Sequence, residues 1–384
     1  MKSSLKIIIP VCILLLSLAA CNTGKNLYEK GNYYQAVLRS VEKLKKSPNN
    51  KKAQETLANA YPNAVNYYLD QLDNQKSSSS EFMNTEAVYI YDKLNNMYES
   101  IQLSPAAKNV IENPKKYYSI LDKIKPFAAK EQYNAGIRFL KYGDRENAKK
   151  AYFYFLEADN FIEDYKDINV KIEEAYDLSL LHVVTHLQPV QSRYYKLSAT
   201  IFYSQVKTIL NQIEQKEFIR FHTPEEAKNT NLRDPDQILN INFEDFVVGE
   251  THTKERIEKM ESDSIKIGEV KLNSRTTKDV YGTVKAVVTI NRMEVISKGF
   301  INLSIEQNGN SKKVLISEDI AGQHVWFNEW GNYNGDERAL TKEQLDICNQ
   351  KRINPIPPQQ MFVEFTKPIH EQLRTRLFNY YQNY

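Results

Sequence analysis

Glycine is scarce in this chain, with 12 in 384 residues, against a usual share of about 7%. Few positions are therefore free to take φ > 0 or to bring the backbone close to a phosphate. Neither a G-x-G-x-x-G turn nor a Walker-type loop occurs, and no G-x-S-x-G elbow exists. Charge of one sign is lacking too, with 51 Lys and Arg against 48 Asp and Glu. A nucleic-acid partner normally demands a concentrated basic face, so none is expected. Tryptophan occurs only at Trp326 and Trp330.

Long apolar runs are also missing, apart from Ile7 to Leu18, which Pro10 interrupts. That run is shorter than the about 20 apolar residues of a transmembrane helix. Lys2 and Lys6 precede it and Leu18-Ala19-Ala20-Cys21 closes it, the three-part layout of a secretory signal. An uncleaved anchor or a buried helix is the competing reading. The tetrad resembles the lipobox of bacterial lipoproteins, which implies removal of residues 1–20 and acylation of Cys21. Palmitate-class chains on Cys21 would hold the protein on a lipid bilayer, each buried CH₂ contributing about 0.8 kcal/mol. Asn22 stands where an Asp would signal inner-membrane retention in the enteric sorting rule. No acidic run follows Cys21, unlike in some surface-exported lipoproteins. The expected location is the cell envelope, on a periplasm-facing outer-membrane anchor. With Cys12 removed and Cys21 acylated, Cys348 is alone, which excludes an internal disulfide.

Tyrosine is abundant, 25 residues of which 20 fall at or before Tyr203. In that half, Gly31-Asn32-Tyr33, Ala36, Pro48, Ala53, Leu57 and Ala58 set a small residue at a helix crossing, a Gly in the turn and a Pro at the stop. Ala135-Gly136, Gly143-Asp144 and Ala148 repeat the arrangement, with twelve residues from Gly136 to Ala148 as from Gly24 to Ala36. The pattern resembles tetratricopeptide repeats. Both copies depart from the consensus, since Tyr152 keeps an aromatic that Ser40 replaces. Residues 53–72 and 81–101 read as two long helices split by a serine run. Pro105, Pro114 and Pro126 are each expected at a helix boundary. The tyrosine pairs, such as Tyr67 with Tyr68 and Tyr152 with Tyr154, either pack between helices with the hydroxyl reaching water or line a concave groove.

From about Ser179 the period changes. Leu180 to Val184, Phe218 to Phe221 and Ile238 to Phe243 read as strands, with a helix from Lys196 to Gln215 and another starting at the Thr223-Pro224-Glu225-Glu226 capping box. Val280 to Ile290 and Ile301 to Ile305 alternate as half-buried antiparallel strands, and Asn308-Gly309-Asn310 is a hairpin turn. A β-α-β-α-β unit entered through Pro235-Asp236-Gln237-Ile238-Leu239 is similar to the periplasmic lipoproteins grouped with the curli-secretion channel and the penicillin-binding-protein activators. Fold-level similarity of that kind transfers no functional residue. The tail carries Ile369, Leu373, Leu377 and Tyr381 at helical steps, a face that needs a partner, either the body or a second protein.

The expected class is thus α+β. Residues 1–20 form the signal peptide, 21–178 a helical array resembling tetratricopeptide repeats, 179–340 the β-α-β-α-β unit and antiparallel meander, and 341–384 a helical tail.

Candidate chemistry is sparse. His182 and His186 are four apart, but Val183 replaces the glutamate of H-E-x-x-H, so no metal site is expected. Ser40-Val41-Glu42-Lys43 matches S-x-x-K without its companion motifs. His252 near Glu250 has no nucleophile, and Asp263-Ser264-Ile265 resembles a short O-glycosylation acceptor. The densest cluster holds Trp326, Trp330, Tyr333, Asp336, Glu337 and Arg338. It is a plug closing the sheet with an acid pairing Arg338, a protein contact, or a glycan site. No catalytic set, metal or cofactor is expected. The leading expectation is a non-enzymatic envelope adaptor that binds proteins through its repeats in assembly or secretion. The alternative is a glycan or small-ligand binder using Trp326 and Trp330, and a hydrolase with scattered catalytic residues ranks third. Cys21→Ala should block incorporation of labelled palmitate and release the protein from membranes. Continued palmitate labelling of that variant refutes the anchor.

Overall fold

The computed structural model describes residues 24–76, 80–188, 190, 192, 194–273, 276–309, 313–382 and 384. The signal-peptide and lipobox readings, with Cys21, lie outside the described residues, as do Ser77 to Ser79 and Asn310. The chain has mixed helix and sheet and divides into two compact units, with the boundary between Ser179 and Leu180.

The first unit is helical: α1 (Lys25–Glu29), α2 (Tyr33–Lys46), α3 (Lys51–Lys76), α4 (Met83–Gln102), α5 (Pro105–Val110), α6 (Tyr118–Leu140), α7 (Arg145–Phe161) and α8 (Ile168–Ser179). In α2, Ala36, Val37, Ser40, Val41 and Leu44 form one buried stripe, Asn32 caps the start, and Lys43, Lys45 and Lys46 complement the helix dipole at the end. That stripe meets Ala53, Leu57, Ala60, Tyr61 and Ala64 of α3. No side chain of the N-cap residue Phe82 caps α4. Glu131 of α6 does so instead, accepting from Asn84 N at 3.0 Å and Thr85 N at 2.9 Å, which places a carboxylate at the positive helix end.

Pro105 opens α5 and Pro114 lies between helices, as expected, but Pro126 sits inside α6. Interior proline costs about 3 kcal/mol. Ala128 and Ala129 just beyond it are fully buried with Val88, Leu121 and Phe161, so packing carries the helix through. The expected tyrosine packing is mixed, since Tyr61 and Tyr68 are buried whereas Tyr67, Tyr89 and Tyr142 are exposed.

The second unit holds β1 (Leu181–Leu187), α9 (Lys196–Glu214), β2 (Ile219–His222), α10 (Pro224–Asn229), β3 (Gln237–Asn273), β4 (Thr276–Gln307), β5 (Lys313–Gly335), a 3-10 turn (Glu337–Ala339), α11 (Lys342–Cys348) and α12 (Pro358–Tyr381). The five strands form one mixed sheet in the order β2-β1-β3-β4-β5. β1 is parallel to β2 and β3, whereas β3-β4-β5 is an antiparallel meander. The capping box of α10 forms as expected, with Thr223 and Glu226 bonding reciprocally.

Position along the meander decides which face is covered. Near β1, the odd residues Ile301, Leu303 and Ile305 of β4 are fully buried with Leu239 and Ile241 of β3, Phe202 and Val206 of α9, and Phe362, Phe365, Ile369, Leu373 and Leu377 of α12. Further along, the even residues Val284, Ala286, Val288 and Ile290 are buried instead, against Ala339, Leu340 and Ile347. Alternate residues of a strand face opposite sides, and β4 pairs with β5 without a register shift over this stretch. The cover therefore changes sides while the strand runs on.

α12 thus belongs to the main core of the second unit. Leu373→Ala should lower its stability by about 2–5 kcal/mol, read by urea denaturation. A cost near zero would mean that α12 is a detachable tail.

Candidate functional site

Trp326 and Trp330 share one face of β5 with Asn328, being two residues apart in turn. Both indoles are partly buried and pack on Met293, Val295, Met361 and Ile356. Asn328 is buried, and its Oδ1 accepts from Ile353 N at 2.9 Å, which ties the segment before α12 across this face. The Arg352 guanidinium lies 5.6 Å from the Trp330 ring. Tyr333 projects from the opposite face, where its hydroxyl meets Glu337 at 3.3 Å. Arg338 pairs with Asp336 at 2.5 Å, and that bond holds the Asp336 carboxyl down to about 2. The five residues of the expected binding cluster are thus divided among two faces of β5 and the turn beyond it. Trp326 and Trp330 share one cluster, and Asp336 and Arg338 form a separate pair.

On the helical unit a different aromatic row forms. Phe82 stacks on Tyr154 with ring centroids 5.7 Å apart, Tyr154 stacks on Phe139 at 5.3 Å, and Phe139 reaches Tyr142 at 6.2 Å. The Arg138 guanidinium stands 5.5 Å and the Lys150 ammonium 5.6 Å from the Phe139 ring, cation–π distances. Glu81 pairs with Arg138. Three elements supply the row: the start of α4, the end of α6 and its following turn, and α7. Tyr142 is exposed at its end. Single-helix periodicity could not reveal it, because its members lie far apart in the chain. The sole sequence signal was the density of aromatics around the Gly143 turn.

A cavity of about 460 Å³ opens at the carboxyl ends of β1 and β2, where open α/β sheets place ligands. Its lining includes the polar residues Thr185, Lys207, Glu214, Arg220, His222 and Glu226 and the apolar residues Leu187, Leu210 and Phe221. Beside it, His182 Nδ1 lies 3.0 Å from His222 Nε2. His182 and His186, four apart in the sequence, lie on strand β1 and form no site together. On a strand that spacing separates them by about 13 Å, and His222 from the neighbouring strand takes the place of His186. Burial first, then His182 and Arg220, hold His222 below the usual histidine range.

Among the described residues, no group of three or more His, Cys, Asp and Glu is arranged to hold a metal ion. His252 meets Glu250 at 3.4 Å, both largely exposed. Ser40 is fully buried in the α2 stripe. No described helix is long and apolar enough to cross a membrane. Searches against protein-family models, curated proteins and solved structures found no match.

Because the folded state holds His222 neutral, the unfolded chain takes up its proton first as pH falls. That contribution to stability is complete above the usual histidine value of about 6.5 and is lost as pH drops through the depressed folded value. His222→Gln should therefore flatten the fall in Tm on acidification from about pH 7 to about pH 5. An unchanged slope in calorimetry would refute the assignment.

Proposed function

We propose that this chain is a lipid-anchored adaptor of the cell envelope, holding protein partners on a degenerate tetratricopeptide-like array. The observation that carries the reading is the row of half-buried Phe82, Tyr154 and Phe139 ending at exposed Tyr142, with its two cations. Aromatic residues and arginine are the side chains enriched in protein-binding hot spots, since they offer large rigid areas together with directed polar contacts.

The local roles of the two proposed repeats support the array. Gly31 and Gly143 both take positive φ, 77° and 73°, in the turn before the second helix. Asn32 and Asp144 follow them as N-caps, accepting from Gln35 N and Asn147 N. Gly24 and Gly136 both stand where a Cβ would collide, 2.7 Å from Ala36 O in the first case and 2.5 Å from the Phe155 ring in the second. The membrane anchor rests on the Leu18 to Cys21 tetrad. The glycan reading has less support, because Trp326 and Trp330 are partly buried against the cluster of Met293, Val295 and Met361.

A photo-crosslinking residue at position 142 in intact cells should trap one or a few defined envelope proteins. Phe139→Ala with Arg138→Ala should cut that yield at least fivefold while helical circular dichroism is retained. Random capture, or a yield insensitive to those substitutions, overturns the adaptor reading.

A further inference from the structure

One edge of β3 is left open for most of its length. β1 pairs with that edge only from Gln237 to Ile241, whereas β4 accompanies the other edge to Asn273. Beyond Ile241 no strand bonds the first edge among the described residues. Unpaired N–H and C=O groups along such an edge are a template for another strand. From Glu250 to Ser262 the pairing with β4 has no register shift, and a shift bounds this stretch at each end, between Val247 and Glu250 and between Ser262 and Ile265.

Within the regular stretch stands Glu255-Arg256-Ile257-Glu258-Lys259. Outward from Ile257 the charges are opposite at equal distances, Arg256 against Glu258 and Glu255 against Lys259. β4 supplies no charge to balance them, since the residues facing these positions are Asn291, Ile290, Thr289, Val288 and Val287. Glu255, Arg256 and Lys259 are exposed, and so is the apolar Ile257, at 62%. Glu258 is half-buried and meets Arg256 of its own strand at 2.8 Å and Gln344 at 2.7 Å.

Directly opposite side chains of an antiparallel pair share a face and interact. Two copies of this segment laid edge to edge about a two-fold axis at Ile257 set Arg256 against the second copy's Glu258, Glu255 against its Lys259, and Ile257 against its Ile257. Lys254 then meets Met260, Thr253 meets Glu261 and His252 meets Ser262, with no like charges opposed. An axis at Glu255, Arg256, Glu258 or Lys259 would oppose that charge to itself, which is destabilising. Charged side chains are also a usual means of blunting an edge. Blunting asks for repulsion between copies, and this order of signs gives attraction.

We propose that the open edge of β3 is a homodimer interface, where residues 252–262 of two copies pair antiparallel about Ile257. A two-fold contact closes on itself, so assembly stops at the dimer. The interface lies wholly in the second unit and is independent of the adaptor reading.

Sedimentation equilibrium of the purified full-length chain should show monomer and dimer at micromolar concentration. Glu255→Lys opposes like charges at two places and should weaken the dimer about tenfold, as should Lys259→Glu. Both positions are exposed, so circular dichroism should not change. Combining the two substitutions restores opposite signs and should return the affinity to within about threefold of the unaltered chain. Independently of charge, a photo-crosslinking residue at position 257 should join light to heavy isotope-labelled copies within residues 255–259, read by mass spectrometry. The proposal is overturned by a chain that stays monomeric at about 100 µM, or by open-ended polymers, which pairing of β3 with the free edge of β5 would give. Single variants as tight as the unaltered chain, a double variant as weak as the single ones, or crosslinks that fall elsewhere overturn it too.

Discussion

The second unit depends on the burial of one helix face against one sheet face. α12 sets Phe362, Phe365, Ile369, Leu373, Leu377 and Tyr381 along a single stripe, and all six are fully buried. They cover β3, β4 and β5 beside the parallel part of the sheet, where Leu239 and Ile241 of β3 pair with β1. A sheet with one apolar face must cover it. Since α9 is the long helix of the β-α-β portion, the C-terminal helix is needed to complete that layer. The last residues of the chain therefore stabilise a strand, β3, whose Leu239 and Ile241 lie more than 100 residues earlier.

The same requirement explains the change of face in the meander. Beyond the reach of α12, β4 exchanges its buried residues from the odd set to the even set, and the 3-10 turn and α11 supply the cover on that side. β5 then inherits two chemically different faces. Trp326 and Trp330 lie on the α12 side, whereas Tyr333 stands with Gly331 on the α11 side, where the place of a Gly331 Cβ would be 3.4 Å from Cys348 Sγ. Sequence proximity within this aromatic stretch thus conceals spatial separation. The free thiol of Cys348 is pushed up by burial, which makes it a poor nucleophile at neutral pH.

Local rules were legible where local chemistry decides structure. The cap at Thr223, the glycine turns at Gly31 and Gly143, and the alternation of β4 all express interactions within a few residues. Pro126 departs from its local rule because Ala128 and Ala129 are buried by residues from α4 and α7, which no window around the proline contains. His182 finds His222 across a parallel strand pair, a contact set by register and invisible to spacing along the chain. The aromatic row of the helical unit was missed for the same reason, its rings coming from three separate elements.

By itself the sequence determined the mixed helix and sheet class, the change of period near Ser179 and the helical faces, because each arises from periodicity and turn chemistry along the chain. It also holds the lipobox-like tetrad ending at Cys21, a short linear motif. Only the tertiary structure decided which side chains share a site. It brought Thr185, Lys207, Arg220 and His222 around one cavity, and it separated Tyr333 from Trp326 and Trp330. Pairing between strands and packing between helices set those distances, and both depend on residues remote in sequence.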